Sequence, residues 1–328
     1  MKSLANPQQF PLYRIGEKAL DSLKTDSHGR ILAAFSEAIY LEGLYDNLLW
    51  LINDKIPMHR RAIQIHGDLP KVARDSTFSV NGQRLVLGPD IDLDLVPASI
   101  WISPRPNLGQ LPPFEDLADR LAIITRLIDD FPPPTGFGRL LLEDTKIGFS
   151  RRIPFESLND GLALKHARPA LDEIVSASIT NNFTRILCIS TDLIGLGEGL
   201  TPSGDDFIGG LLFSSFVLQD IYPQYKGFST SDVTSFVLNS RNRTNLISYI
   251  LLKDLASGHT FDTLHRFVNA ILSDQHLEDA QYLGLALIRI GHSTGWDLLA
   301  GVWMSILLAV CSRSAPSIGV SAFESNSY

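Results

Sequence analysis

The stretch GLGEGLTPSGDDFIGG, residues 195–210, carries residue types whose spacing suits the binding of a small charged molecule. Gly195, Gly197 and Gly199 stand at alternate positions just before a predicted helix. Glycine is used where the backbone needs a positive φ or where a ligand must approach it closely. Free N–H groups ahead of a helix N-terminus attract phosphate or carboxylate, because the helix dipole is positive there. The pattern therefore predicts an anion-binding loop.

The same stretch also has a purely structural interpretation as a helix start. Ser203, followed three residues later by Asp206, fits a capping box, and Pro202 suits the first position of a helix. This interpretation leaves Asp205 without a role. Two adjacent carboxylates beside an anion site call for a cation such as Mg²⁺, or for a ligand group rich in N–H such as an amide, amine or carbamoyl group. Asp205 and Asp206 are thus candidate Mg²⁺ ligands, and no cofactor is firmly predicted.

A second stretch, GHSTGWDLLAGVW at residues 291–303, repeats this design. In both, a Ser or Thr and a Gly precede an Asp, and a second Gly follows that Asp four residues later, on the same helix face. That second Gly would let another backbone pack closely. We predict two buried helices whose N-termini meet, with Asp206 and Asp297 flanking one pocket and His292 nearby. The alternative is a chance similarity between two capped helices.

The composition narrows the class of protein. The chain has 328 residues, of which 45% are hydrophobic and 20% charged, as in an ordinary globular protein. Its net charge of −8 argues against nucleic acid and anionic membranes as partners. The uncharged runs 207–218 and 298–311 are shorter than the ~18–20 residues that span a bilayer, so we predict buried helices. Cys188 and Cys311 lie in apolar runs without metal-ligand spacing, which predicts buried thiols and a cytoplasmic location.

The elements that must position these motifs differ along the chain. Short runs rich in Ile, Leu and aromatics predict strands in the first third, and Asn81-Gly82 marks a hairpin within 76–88. The proline-rich segment 103–116 marks a domain boundary. We predict an α+β protein with a β-rich, barrel- or sandwich-like domain at 1–105 and a mainly helical domain at 106–328. Further strands are predicted at 28–43, 47–52, 61–66, 90–96 and 184–190, and helices at 114–131, 166–180, 204–220, 230–239, 243–256, 260–273, 276–290 and 293–312.

Together the two motifs resemble the signature of a bacterial family catalogued as a domain of unknown function. That signature reads GLGxGLTPSGDD, followed later by GHSSG or GHTSG and then x-D-x-x-AG. Members of the family include a subunit of oxamate carbamoyltransferase from anaerobic allantoin degradation. The resemblance covers the C-terminal half of this chain, includes Arg243-Thr244 between the motifs and extends loosely to the β-rich N-terminal third. The chain departs from the pattern at Ser293-Thr294 and at Asn245, where a second Thr is usual.

The resemblance implies carbamoyl transfer among carbamoyl phosphate, oxamate and related small carboxylates, by an enzyme built from several different subunits. Positioning and electrostatic stabilisation contribute most to such a transfer. The alternative hypotheses are a non-catalytic partner or ligand-sensing subunit, and a small-molecule kinase whose phosphate loop the first motif resembles. The candidate catalytic residues are Asp205, Asp206, His292 and Asp297. The candidate substrate-binding residues are Gly195, Gly197, Gly199, Leu200, Thr201, Pro202, Ser203, Gly204, Arg243, Thr244, Ser293, Thr294 and Gly295.

Overall fold

A computed structural model shows how the two parts of the chain fold. It describes residues 8–9, 12–25, 28–96, 99–104, 111–144, 161–274 and 277–312. A β-rich N-terminal part precedes a mainly helical C-terminal part, so the predicted α+β class is confirmed. The boundary predicted between residues 105 and 106 lies outside the described residues.

The strands of the N-terminal part form one curled sheet instead of a sandwich of two sheets. The strands are β1 Gln8–Gln9, β2 Leu12–Gly16, β3 His28–Ala34, β4 Ala38–Glu42, β5 Leu48–Ile52, β6 Ala62–Ile65, β7 Thr77–Asn81, β8 Arg84–Leu87, β9 Ile91–Asp94 and β10 Ser99–Trp101. The strand order is β1-β9-β8-β7-β3-β4-β5-β6-β2-β10. Most neighbours are antiparallel, and the predicted hairpin joins β7 to β8 through Gly82, which has a φ of +63°.

Strand β5 is buried on both faces, which places the sheet between two cores. Leu48, Trp50 and Ile52 belong to the large core shared with the helices. Leu49 and Leu51 point to the other face and join a smaller core inside the curled sheet. This period of two follows from the strand pleat. One face of the sheet is therefore a wall of the helical part.

Eleven helices are present in the described part of the chain, and all but the first belong to the C-terminal part. The predicted helices are confirmed, with shifts of several residues at some ends. They are α1 Glu17–Thr25, α2 Leu117–Ile128, α3 Leu140–Asp144, α4 Leu162–Ile179, α5 Phe183–Ser190, α6 Ser203–Ile221, α7 Thr230–Ser240, α8 Leu246–Leu255, α9 Asp262–Ile271, α10 Ala280–Leu287 and α11 Thr294–Ser312.

The strand predicted at 184–190 is wrong, because this segment forms α5. The side chain of Asn182 caps the helix by accepting a hydrogen bond from the Arg185 N–H at 3.0 Å. Phe183, Ile186 and Leu187 are buried at helical spacing. The expectation of buried thiols is also wrong, since Cys188 is exposed on the outer side of α5 and Cys311 is half-buried near the end of α11.

Helices α6 and α11 cross in close contact at the centre of the helical part. A Cβ atom at Gly210 would overlap the carbonyl oxygen of Leu298, and one at Gly301 would overlap that of Phe207. The predicted close packing at these two glycines is therefore confirmed. Helix α11 is long and apolar enough to cross a membrane, but 83% of its most apolar window is buried inside the protein, as in a core helix.

Candidate functional site

The first motif starts helix α6 in a different way from the predicted capping box. The N-cap is Pro202, whose side chain cannot cap, and the N–H groups of Asp205 and Asp206 bond to its carbonyl oxygen. Ser203 is already the first helical residue, so the capping box and the position predicted for Pro202 are both wrong. The Ser203 hydroxyl lies instead 3.4 Å from the Ser293 hydroxyl of the second motif. The Ser203 hydroxyl is therefore available for a hydrogen bond that links the N-termini of α6 and α11.

Asp205 holds the glycine-rich loop to helix α8. Its Oδ1 accepts the Gly195 N–H at 2.6 Å, and its Oδ2 accepts the Ser248 hydroxyl at 2.5 Å. Burial raises the pKa of Asp205, and the two hydrogen bonds act in the opposite direction. The Gly195 N–H is therefore used inside the protein, although the sequence suggested that it would face an anion.

The three alternate glycines have different structural roles. Gly195, with a φ of +83°, passes so close to the Arg243 carbonyl oxygen that a Cβ would overlap it. A Cβ on Gly197 would lie 2.7 Å from the Ser203 nitrogen. Gly199, with a φ of +95°, has open space where a Cβ would lie. Only Gly199 of the three borders the cavity described below.

Asp206 and Asp297 lie close together beneath the two helix starts. They are 1% and 0% exposed, and the Oδ2 atom of each has no hydrogen-bond partner among the described residues. Burial, and next the charge of Asp297, raise the pKa of Asp206 well above its usual range. Burial also raises the pKa of Asp297 to about 7. The structure thus brings together the two aspartates that the repeated motif singled out.

Hydroxyl groups from both motifs surround this pair. The hydroxyls of Thr201 and Thr294 are 2.9 Å apart. Their hydrogen bonding to Asp206 lowers its pKa, in opposition to the effect of burial. Ser203 and Ser293 have the same effect on Asp297. Each aspartate is therefore served by one hydroxyl from its own motif and one from the other motif.

A third segment, which the sequence did not single out, contacts Asp297. The Phe137 N–H donates to Asp297 Oδ1 at 2.6 Å from the 3-10 turn Gly136–Arg139. A Cβ on Gly136 would overlap the Asp297 carboxylate. The proline-rich sequence around Gly136 gives no local sign of this contact, because Asp297 lies far away along the chain.

A cavity of about 480 Å³ lies between the curled sheet and the two motif loops. Six of the predicted site residues line it on the helical side, and they are Gly199, Leu200, Thr201, His292, Ser293 and Thr294. The sheet, its β3–β4 turn and the loop after β5 supply residues that sequence reasoning missed, including Phe35, Glu37, Tyr40, Trp50, Ile52 and Ile56. Their only sequence signal was an aromatic-rich strand pattern, which indicates a core as well as a site.

The remaining candidates do not line the cavity. A Cβ on Gly204 would overlap the Leu193 carbonyl oxygen, and one on Gly295 would overlap that of Leu287, so both glycines serve helix packing. The exposed Arg243 donates to the Thr191 carbonyl oxygen at 3.1 Å. Thr244 lies near Asp205, just before α8 begins. These residues therefore pack around the glycine-rich loop and the helix starts, outside the cavity lining.

The charges that face the cavity are mostly acidic. Its charged or titratable polar lining consists of Glu37, Glu198, His292 and Tyr40, and no Lys or Arg is present among the described lining residues. Burial, and next the charge of Asp206, raise the pKa of Tyr40 to about 12, so its hydroxyl stays protonated at neutral pH. In the described ranges, no group of three or more His, Cys, Asp or Glu side chains is placed to hold a metal ion.

The two converging motif loops can be compared with known families. Residues 193–306 match the family model of the oxamate carbamoyltransferase subunit AllH. The resemblance drawn from the motifs is therefore confirmed. The match includes both motif loops and both buried aspartates, but the sheet wall of the cavity lies outside it. No solved structure matches the chain.

Proposed function

We propose that this chain is a subunit of an oxamate carbamoyltransferase and binds a small carbamoyl-bearing substrate in the cavity beside the paired helix N-termini. The observation that carries the proposal is the convergence of both AllH-family motifs on one cavity, with Asp206 and Asp297 buried behind its wall. Cavities of this size with a few polar groups at one end are typical of small-molecule sites.

The polar end of the cavity suits a carbamoyl group. The hydroxyls of Thr201 and Thr294 face the cavity, and Asp206 lies behind them. When one hydroxyl donates to the other and the second donates to the carboxylate, lone pairs remain that can accept N–H bonds from an NH₂ group. The Tyr40 hydroxyl is a neutral donor suited to a carbonyl oxygen. This arrangement would fix a planar H₂N–C=O group by hydrogen bonds to both of its ends.

The negatively charged end of carbamoyl phosphate or oxamate would face His292, the one described lining side chain that can carry a positive charge. The two aspartates interact, because the charge of Asp297 disfavours ionisation of Asp206. A carboxyl that keeps its proton can donate a hydrogen bond as well as accept one. The pair would thus stabilise either a hydrogen-bond donor or a hydrogen-bond acceptor on the reacting carbamoyl group. No nucleophilic side chain would be needed.

A second candidate function is a ligand-sensing or non-catalytic partner subunit within the same complex. The absence of Lys and Arg from the described cavity lining favours it, because a phosphate group usually needs such a residue or a helix N-terminus. In that case another subunit would supply the groups that hold the phosphate. Turnover by the reconstituted complex, measured with site variants of this chain, separates the two candidates.

Isothermal titration of the purified chain with oxamate and with oxalate tests the proposed site. The two molecules have the same shape, but oxalate carries a charged oxygen in place of the NH₂ group. We expect oxamate to bind at least tenfold more tightly, or ~1.4 kcal/mol, because the Thr201–Thr294 pair accepts N–H bonds and the acidic lining side chains Glu37 and Glu198 repel a second carboxylate. Equal affinities, or no binding of oxamate at millimolar concentration, would rule out the proposed carbamoyl site.

Asp206→Asn, compared with the exposed Asp192→Asn as control, tests whether the site belongs to the enzyme. In the reconstituted complex we expect Asp206→Asn to lower turnover by more than tenfold while the chain stays folded. Asp192→Asn should leave turnover unchanged. Full turnover by a folded Asp206→Asn variant would remove the aspartate pair from the mechanism and favour the partner-subunit candidate.

A further inference from the structure

The cavity is larger than a carbamoyl transfer between very small molecules requires. Its volume of about 480 Å³ lies within the range of ~300–1,000 Å³ that is usual for drug-sized ligands. Most of its polar groups lie on the motif loops, and the sheet side is mostly apolar apart from Ser36, Glu37 and the Tyr40 hydroxyl. Bound oxamate would leave this apolar end filled with water.

Aromatic rings form the wall at that end. Tyr40 lies edge-on to Phe35 at a centroid distance of 6.3 Å and to Trp50 at 6.1 Å. Phe261 lies 5.7 Å from Trp50. Phe35 is 51% exposed although it is a large apolar side chain in a tight turn. Together with Tyr40 and Trp50 it forms one aromatic row along the cavity, and contiguous apolar surface of this kind marks ligand-binding grooves.

The rings are held in fixed orientations from behind. Trp50 stacks on the fully buried His59 at a centroid distance of 4.2 Å, and the His59 Nδ1 accepts the Arg61 N–H at 3.2 Å. Burial lowers the pKa of His59 to about 3, so this imidazole stays neutral. A rigid aromatic wall can accept a flat ring with little loss of side-chain entropy.

We propose that this wall is a second subsite that binds a flat, uncharged, apolar group, so that the ligand is an amide or urea carried on a ring. The inference rests on the proposed function for the position of the carbamoyl head at Thr201 and Thr294. The acidic side chains Glu37 and Glu198, with no Lys or Arg in the described lining, disfavour a negatively charged body. A ring against Phe35 and Tyr40 would cover apolar surface and form edge-to-face contacts.

Phenylurea and methylurea provide the matched probe, because they share the neutral H₂N–CO–NH head and differ only in the ring. By isothermal titration of the purified chain, we expect phenylurea to bind at least tenfold more tightly than methylurea. Phe35→Ala should remove most of this difference by weakening the binding of phenylurea, with a much smaller effect on methylurea. Tyr282→Ala, an exposed aromatic on α10, is the control and should change neither affinity. Circular dichroism verifies that each variant is folded.

The outcomes separate this inference from the proposed function. Equal affinities for the two ureas, or a ring preference that survives in folded Phe35→Ala, would overturn the aromatic subsite. If oxamate still binds in that case, the carbamoyl site stands alone. If phenylurea binds in a Phe35-dependent way and oxamate does not bind, the subsite stands and the proposed function fails. No binding by any probe would overturn both.

Discussion

Asp205 and Asp206 are adjacent and identical in type, yet their neighbours give them different properties. Asp205 accepts hydrogen bonds from Gly195 and Ser248, which stabilise its charged form. Asp206 instead faces the carboxyl group of Asp297, which destabilises its charged form. Asp205 therefore anchors the glycine-rich loop. Asp206 is the aspartate with which a ligand at the cavity wall would interact. The sequence spacing could single out Asp206, because only that position has a counterpart in the second motif.

The pH dependence of stability follows from this pair. The pKa of Asp297 is raised to about 7 in the folded protein, whereas an unfolded Asp titrates near ~3.9. Folding is therefore favoured most below the unfolded value, and the free energy of unfolding should fall as the pH rises toward 7. Asp297→Asn keeps an acceptor for the Phe137 N–H and removes the titration. We expect it to flatten the fall by up to ~1.4 kcal/mol per pH unit.

Urea unfolding between pH 4 and pH 8 measures this effect. Asp192→Asn, on the exposed surface near the same loop, should keep the slope of the wild-type protein. The interpretation is wrong if the free energy of unfolding depends on pH in the same way in Asp297→Asn and in the wild-type protein. The Asp297 carboxyl would then have the same pKa in the folded and the unfolded state.

At the scale of elements, the site depends on the crossing of α6 and α11. Each helix places a glycine against the carbonyl group that follows the other helix's aspartate, Gly210 against Leu298 and Gly301 against Phe207. This reciprocal contact sets how near the two N-termini, and hence the two aspartates, can approach. The sequence repeat therefore reflects the symmetric contact between α6 and α11.

Gly210→Ala and Gly301→Ala should weaken the protein, although alanine is the better helix former by ~1 kcal/mol. The added Cβ meets a backbone oxygen that cannot rotate away, so we expect each variant to lose ~2 kcal/mol or more of unfolding free energy. Gly161→Ala, at the exposed start of α4 with open space around it, is the control and should change stability little. Alanine variants as stable as the wild-type protein would contradict the close crossing.

Helices and strands could be predicted where local sequence patterns determine them. They were harder to predict where tertiary contacts determine the structure. The hairpin at Asn81-Gly82 and the long apolar helices follow from turn chemistry and periodicity. The β-branched and apolar residues of segment 184–190 fit both the strand and the helix period, and only the Asn182 cap indicates the helix that forms. The Ser203 capping box failed because Pro202 took the cap position. Tyr40 and Trp50 gave no functional signal, because only the folded chain brings them opposite the motif loops.

At the scale of the whole molecule, the cavity exists only because the sheet is fixed against the helices. Arg61, immediately before β6, and Asp254 on α8 form a buried two-point ion pair across this contact, with the Nη2–Oδ1 distance at 2.9 Å. Burial by itself would raise the pKa of Asp254, but its hydrogen bonds and charge interaction with Arg61 outweigh this and leave the pKa below its usual value. The pair therefore stays ionised, and each partner depends on the other.

Asp254→Asn should destabilise the protein by ~3–5 kcal/mol, because it leaves the Arg61 charge buried without a counter-charge. The double variant Arg61→Met/Asp254→Leu removes both charges and should recover most of the lost stability in guanidinium unfolding. It should also bind oxamate, since the sheet would again be fixed by apolar packing. Arg30→Met, at the surface pair with Glu42 within the sheet, is the control and should have a much smaller effect. If Asp254→Asn is no less stable than this control, the pair does not hold the cavity together, and the sheet must be fixed by the shared core around Trp50 alone.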